Sequence, residues 1–153
     1  MEIRLATLDD VEQICGLYTE FFAYIAAQQP EYYIAVREEG KYPKSVIEGE
    51  GSNIILAVEN GKIVGFIQVR ESATPPYGSV VSHKYAEVVD LIVTETHRRK
   101  GIGSMLMDAA KSWGRDRNLD YIELFALESA KGEIAFYKSE NFTTVSQIMR
   151  FVL

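Results

Sequence analysis

A chain of 153 residues with a formal net charge of −6 is long enough for one domain with a sizeable core, and its acidic balance argues against nucleic acid as the main partner. At 47% hydrophobic and 25% charged it is too apolar for a disordered chain, while no apolar run approaches the ~20 residues of a membrane span. One cysteine rules out an internal disulfide, two histidines beside it speak against a metal site, and an opening MEIRLATLDD without secretion-signal features leads us to expect a reducing, cytoplasmic setting with no membrane partner.

Residues 2–6 alternate and read as a short strand. Thr7 with Asp10 three residues on has the form of a capping box, and Val11, Ile14, Cys15, Tyr18, Phe21, Phe22 and Ile25 then keep helical spacing up to a break near Pro30. Residues 31–50 mix aromatics with charges and read as a loop plus a short helix. NIILAVENGKIVGFIQVR sets two β-rich runs around Asn60-Gly61, which suits a type I′ hairpin. A turn-rich loop at 71–84 precedes YAEVVDLIV (85–93), a buried-looking strand. Ile102, Met105, Leu106, Ala109 and Trp113 line one face of a helix that fades near Asn118. YIELFAL (121–127) reads as a strand, 133–138 as a short helix, and TTVSQIMRFVL as a closing strand. The order β-α-α-β-β-β-α-β-α-β describes an α/β protein with a mixed sheet, antiparallel hairpins early and a βαβ unit from 85 to 127.

One stretch stands out. In VTETHRRKGIGSML, Arg98, Arg99 and Lys100 run into Gly101 and Gly103 between a strand and a helix. Glycines remove the Cβ atoms that keep a ligand from the backbone, and the first N–H groups of the helix have no internal partner. With the helix dipole behind them they suit a phosphate. No GxxxxGK[ST] is present, and Leu106 stands where a dinucleotide fingerprint has its third glycine. The plainer alternative is a glycine-softened turn with a solvated basic patch.

Arg98-x-x-Gly101-x-Gly103, after a strand ending Leu91-Ile92-Val93, resembles motif A of the GNAT acetyltransferase superfamily, which binds the pyrophosphate of acetyl-CoA. The later AKGEIAFYKSENF (130–142) resembles that family's Asn-x-x-Ala-x-x-x-Tyr-x-x-x-Gly-Phe. Tyr137 and Phe142 match, while Ala130, Glu133 and Asn141 depart from the usual Asn, Ala and Gly. IRLATLDDVEQICGLY also resembles the family's first strand and helix. The resemblance implies one domain spanning 1–153, with a mostly antiparallel twisted sheet of six to seven strands flanked by about four helices. It implies acetyl transfer from acetyl-CoA to a primary amine by direct attack, with no metal.

That chemistry needs a base for the attacking amine and a donor for the leaving sulfur. Glu87, eleven residues before Arg98, matches the catalytic glutamate of histone-type members. Asp90, on the same strand and the opposite alternation face, is the alternative base. Tyr137 matches the family's acid. The resemblance assigns pantetheine to backbone groups around Leu91, Ile92 and Val93, and pyrophosphate to Arg98, Arg99, Lys100, Gly101, Ile102, Gly103 and Ser104. Cys15 reads as a structural thiol, and His83 and His97 as loop residues. Phe21, Phe22, Tyr24, Tyr32, Tyr33, Tyr42 and Tyr77, with Glu38, Glu39, Glu48 and Glu50, suggest a cationic acceptor such as a polyamine, an aminoglycoside or a lysine side chain. A non-catalytic acyl-CoA-binding module is the alternative function. Homodimerisation, with the closing strand as an edge, is open on the sequence.

Overall fold

The computed structural model describes residues 1–153. Five strands lie in the order β1 (Glu2–Leu5), β2 (Ser52–Glu59), β3 (Lys62–Ala73), β4 (Lys84–Val93), β5 (Ile122–Leu124). All neighbours are antiparallel except β4 and β5, which run parallel. Four helices cover the sheet: α1 (Val11–Gln28), α2 (Lys41–Glu48), α3 (Ile102–Asp116) and α4 (Lys131–Ser139). None is long and apolar enough to cross a membrane.

Strand alternation splits the core into two layers. Ile55, Ala57, Ile67, Val69, Ala86 and Val88 face α3 through Leu106, Met107, Ala110 and Trp113. Ile54, Leu56, Phe66 and Ile92 face α1 and α2 through Ile14, Leu17, Tyr18 and Val46. The hairpin closes at Glu59 and Lys62 on Asn60 and Gly61, both at positive φ, as the type I′ reading requires. The capping box is present: the Asp10 carboxylate accepts from the Thr7 N–H (2.8 Å) and is ion-paired to Arg4 (2.7 Å). That pairing holds the Asp10 carboxyl down at about 2.

Three expectations change. The sheet has five strands, because residues 143–153 form no strand and make no backbone hydrogen bond. Strand-forming sequence needs an edge to pair with, and here this segment finds none. Secondly, β3 runs on to Ala73, pairing with Lys84, so the intervening loop is shorter than 71–84. Thirdly, the core face of α3 is rotated: Met107 and Ala110 are buried, while Met105 turns outward.

Candidate functional site

The site is a gap in the sheet. β4 and β5 pair only from Ala86–Ile122 to Val88–Leu124. Beyond Val88, β4 continues to Val93 with no strand beside it on that side. The remaining backbone groups of β4 therefore face an opening. Which of them do so follows from period two. The Thr94 N–H donates to the Val64 carbonyl (2.9 Å), toward β3. Ile92 turns its groups the same way, and Leu91 and Val93 turn theirs into the gap. Ile92, expected at a cofactor, instead has its side chain in the core and its carbonyl against Gly65 of β3.

The glycine stretch closes one end of the gap. Arg99 and Gly101 adopt positive φ (63° and 79°), and Gly101 caps α3. Gly101 suits that conformation because it has no Cβ. No backbone N–H from residue 99 to residue 104 has a partner within the chain. Six consecutive donors, the last three opening a helix, form a concave cradle for an anion. Gly103 serves differently from the expectation. A Cβ there would meet the Phe136 ring at 3.2 Å, so its bare backbone lets α4 sit against the cradle. The basic side chains are partly committed elsewhere: Arg98 Nε donates to the Val93 carbonyl (3.0 Å), and its guanidinium lies 5.3 Å from the Tyr24 ring centroid. Lys100 is exposed. Glu140 pairs with Lys111 (2.8 Å), which holds its carboxyl below the usual carboxylate range.

The two candidate carboxylates share a face. Gln68 stands opposite Asp90 and Arg70 opposite Glu87, and between those pairs the register shifts, leaving Val89 as a bulge. Positions 68 and 70 point the same way, so positions 87 and 90 do too, toward α1. The expected opposition of Glu87 and Asp90 fails because the bulge resets the alternation. Their surroundings differ. Glu87 is held by Arg70 (2.7 Å). Asp90 accepts from the Tyr18 hydroxyl (3.0 Å), which also lies 2.8 Å from Gln68 Oε1. Gln68 Nε2 in turn donates to the Tyr42 hydroxyl (2.9 Å). Burial pushes the Asp90 carboxyl up, against the Tyr18 hydrogen bond, and burial with the Asp90 charge pushes the Tyr18 phenol up strongly.

Tyr137 sits on α4 between Phe136 and Phe142, packed on the core beside α3. Burial, then the charges of Glu133 and Asp90, push its phenol up to about 12. Glu133 is itself raised by burial and opposed by Arg98. Phe136, the residue before Tyr137, packs on Gly103, so α4 borders the cradle, and Tyr137 feels the charges of Glu133 and Asp90.

Other expectations disperse. His97 bonds Glu59 (3.1 Å) and His83 bonds Asp120 (2.7 Å), so neither joins the cradle. Burial raises the Cys15 thiol, as suits a structural cysteine. Phe21 and Phe22 pack on the core, Tyr77 is exposed in the loop after β3, and Glu48 pairs with Lys44. Glu38 and Glu39 line an open cavity of about 990 Å³ with Asp9, Glu12, Cys15 and Arg37. Sequence reasoning missed the Tyr18–Gln68–Tyr42 network. Its signal was Gln68, a lone amide in the apolar run of β3, buried to 2% exposure.

Comparison with known proteins identifies the fold and the family. The model of the acetyltransferase (GNAT) family matches residues 9–142. An uncharacterized N-acetyltransferase of Archaeoglobus fulgidus is 26% identical over 92% of both chains. The solved structure of the BH1408 protein of Bacillus halodurans, crystallised as a mutant, superposes with a TM-score of 0.92 at 26% identity, covering 100% of this chain and 99% of that one. An aminoglycoside N-acetyltransferase, AAC(6')-Iy, in complex with CoA shares the fold, with a TM-score of 0.75 at 13% identity over 99% of this chain and 98% of that one. The chain belongs to the acetyltransferase (GNAT) family and is an acyl-CoA-dependent N-acetyltransferase.

Proposed function

We propose that this enzyme moves an acetyl group from acetyl-CoA to a primary amine by direct attack, with Asp90 as base and Tyr137 as the donor to sulfur. The observation that carries the reading is the run of six unpartnered N–H groups at 99–104, at the end of the gap left beside β4 and next to α4, whose Phe136 packs on Gly103. The pyrophosphate fits that cradle, chiefly through backbone donors. The pantetheine arm would lie along β4 and pair with the gap-facing groups of Leu91 and Val93, where it would take the place of a missing strand. The thioester then lies near Asp90 and Tyr137.

An alkyl ammonium with a pKa near 10 must lose a proton before it attacks. Asp90 is the better base than Glu87, because Glu87 is paired with Arg70 (2.7 Å) while Asp90 is half-buried and raised. Tyr18 helps it switch. One phenolic proton serves either Gln68 or Asp90, so a protonated Asp90 can donate to Tyr18 while Tyr18 donates to Gln68. As the amine nitrogen bonds the carbonyl carbon, its proton passes to Asp90 directly or through water, and the C–S bond breaks. A phenol held at about 12 facing a thiol of pKa ~8.5 gives the sulfur a hydrogen bond that strengthens as negative charge develops there.

The acceptor we assign is an amine that arrives as a cation. The net charge of −6 and the carboxylates of Asp90 and Glu133 at the opening favour that class, and the related AAC(6')-Iy acts on aminoglycosides. The test is release of free CoA thiol across a panel of polyamines, aminoglycosides and peptides with free amino groups, beside calorimetry with acetyl-CoA. Amine-dependent release above hydrolysis is expected. Binding of acetyl-CoA without release for any amine would overturn the proposal.

A further inference from the structure

Gln68 lies in the apolar run of β3, buried to 2% exposure, with its carboxamide between two phenols. Oε1 is 2.8 Å from the Tyr18 hydroxyl. Nε2 is 2.9 Å from the Tyr42 hydroxyl, which also lies 3.3 Å from Oε1. The Tyr18 hydroxyl reaches on to Asp90 Oδ2 at 3.0 Å. Tyr42 enters from the first turn of α2, and the two phenol rings meet edge to face with centroids 6.1 Å apart. Four side chains in line therefore join Asp90 to α2.

The number of protons in this line limits its states. Each of the two contacts of the Tyr18 oxygen needs one hydrogen, and a phenol supplies one. With Oε1 toward Tyr18, the phenolic proton lies on the Gln68 side, and the contact with Asp90 is made by a proton on the carboxyl. That arrangement belongs to neutral Asp90. When Asp90 is ionised, the phenolic proton turns to the carboxylate, and Tyr18 and Oε1 become two bare oxygens 2.8 Å apart. Turning the amide over removes the conflict, because Nε2 then donates to the Tyr18 oxygen. Tyr42 suits both orientations: its hydroxyl accepts from Nε2 in the first and donates to Oε1 in the second. Burial and the Asp90 charge keep the Tyr18 phenol protonated throughout.

We propose that Gln68 is a positioning residue for the base: its amide reverses each time Asp90 takes up or gives up the transferred proton, and Tyr42 holds either orientation. The inference rests on Asp90 as base. No proton crosses the amide. The one gained from the amine stays on Asp90, while the phenolic proton swings from the carboxylate to Oε1. Both forms of Asp90 then keep their hydrogen bonds, so a half-buried carboxyl changes charge without orphaning Tyr18 or Gln68. Other ionisable groups surround the line. Glu87, on the same sheet face, is paired with Arg70, and Glu20 of α1 bonds Thr94. Tyr137 of α4 feels Glu133 and Asp90, and Glu38, before α2, acts on Tyr18. None of them bonds Gln68, so movement of its amide reports on Asp90.

Nuclear magnetic resonance on the full chain tests this without turnover. A pH titration follows the Asp90 carboxyl carbon and the two Nε2 protons of Gln68, assigned by their loss in Asp90→Asn and Gln68→Met. The Gln68 protons should shift with the same midpoint as the Asp90 carboxyl. Gln68→Met leaves the phenolic proton without an acceptor only in the neutral state. The Asp90 midpoint should therefore fall by about one pH unit, a tenfold loss of proton affinity, and the acid limb of kcat/KM should move down with it. Gln68 protons that stay put through the Asp90 titration, or a midpoint unmoved in Gln68→Met, would overturn the proposal and leave Asp90 as base untouched. A wild-type rate limb displaced from the Asp90 midpoint would instead overturn the reading of Asp90 as base, and with it the positioning role of Gln68.

Discussion

Replacing Gly101 by valine separates backbone conformation from packing in the cradle. Gly101 sits at φ +79°, where a β-branched residue is an outlier. A Cβ placed there meets nothing within 4 Å, so the substitution creates no clash. The loop must leave the left-handed region, and the N–H groups on either side of residue 101 rotate with it. A hydrogen bond from a backbone N–H to a charged oxygen contributes about 1.5–3 kcal/mol. Losing one such bond weakens acetyl-CoA binding roughly 10- to 150-fold. The strain itself is about 1–2 kcal/mol, which lowers the melting temperature of a domain this size by roughly 2–8 °C. Titration calorimetry with acetyl-CoA, beside a thermal melt without ligand, measures both. A variant that melts within this range and still binds within twofold of the wild type would refute the backbone cradle and return 98–103 to an ordinary turn.

Asp90→Asn should lower kcat/KM by roughly 10²- to 10⁴-fold, the usual span for a general base. The sign of its pH effect follows from burial: the raised carboxyl is protonated, and useless as a base, below a pKa higher than a free aspartate's. The wild-type rate should therefore fall as pH drops through that value. The Asn variant should lose this limb, and a limb that stays put would move the role to Glu87 or to water. Tyr137→Phe should lower kcat with little change in acetyl-CoA affinity. A phenol at about 12 keeps its proton well past the ordinary range, so the wild-type profile should show no break near pH 10 that the Phe variant lacks. An unchanged kcat would remove Tyr137 from the chemistry. For Asp10, a carboxyl lowered from 3.8 to about 2 by Arg4 contributes stability that is full above the unfolded value and lost as pH falls through the folded one. Asp10→Asn should cost about 2 kcal/mol at pH 7, roughly 4–8 °C in melting temperature, and the two proteins should converge near pH 2. An equal gap at both pH values would show that the ion pair is not its source.

The parts of this molecule legible in sequence are those set by local signals. The Asn60-Gly61 hairpin, the Thr7–Asp10 cap and the βαβ unit around α3 each follow from turn chemistry or hydrophobic period. The basic-then-glycine stretch lay at a strand–helix junction, and that junction is where the free N–H groups gather. What could not be read were the long-range relations. Alternation counted along β4 put Glu87 and Asp90 on opposite faces. The extra residue at Val89 is visible only against the register of β3. Gly103 looked like ligand clearance, yet Phe136, 33 positions away, fills the space. The last strand had the right composition and no partner, since pairing is a property of two segments and one sequence window describes only one of them.

The Val89 bulge connects these observations. A regular β4 with Glu87 facing Arg70 would have turned position 90 toward α3, into the apolar layer of Ala86, Val88 and Leu106. The bulge instead returns Asp90 to the α1 face, where Tyr18 and Gln68 can satisfy it. It comes one residue after the last β4–β5 pair, so the strand bends where its neighbour ends. One extra residue therefore does two things at a single point. It bends β4 where β5 leaves it, and it returns a half-buried carboxylate to the α1 face beside Tyr18 and Gln68. Glu87, two pairs before Asp90, remains in the regular ladder and keeps Arg70 as its partner. The division of labour between the two acids follows from which side of the bulge each occupies.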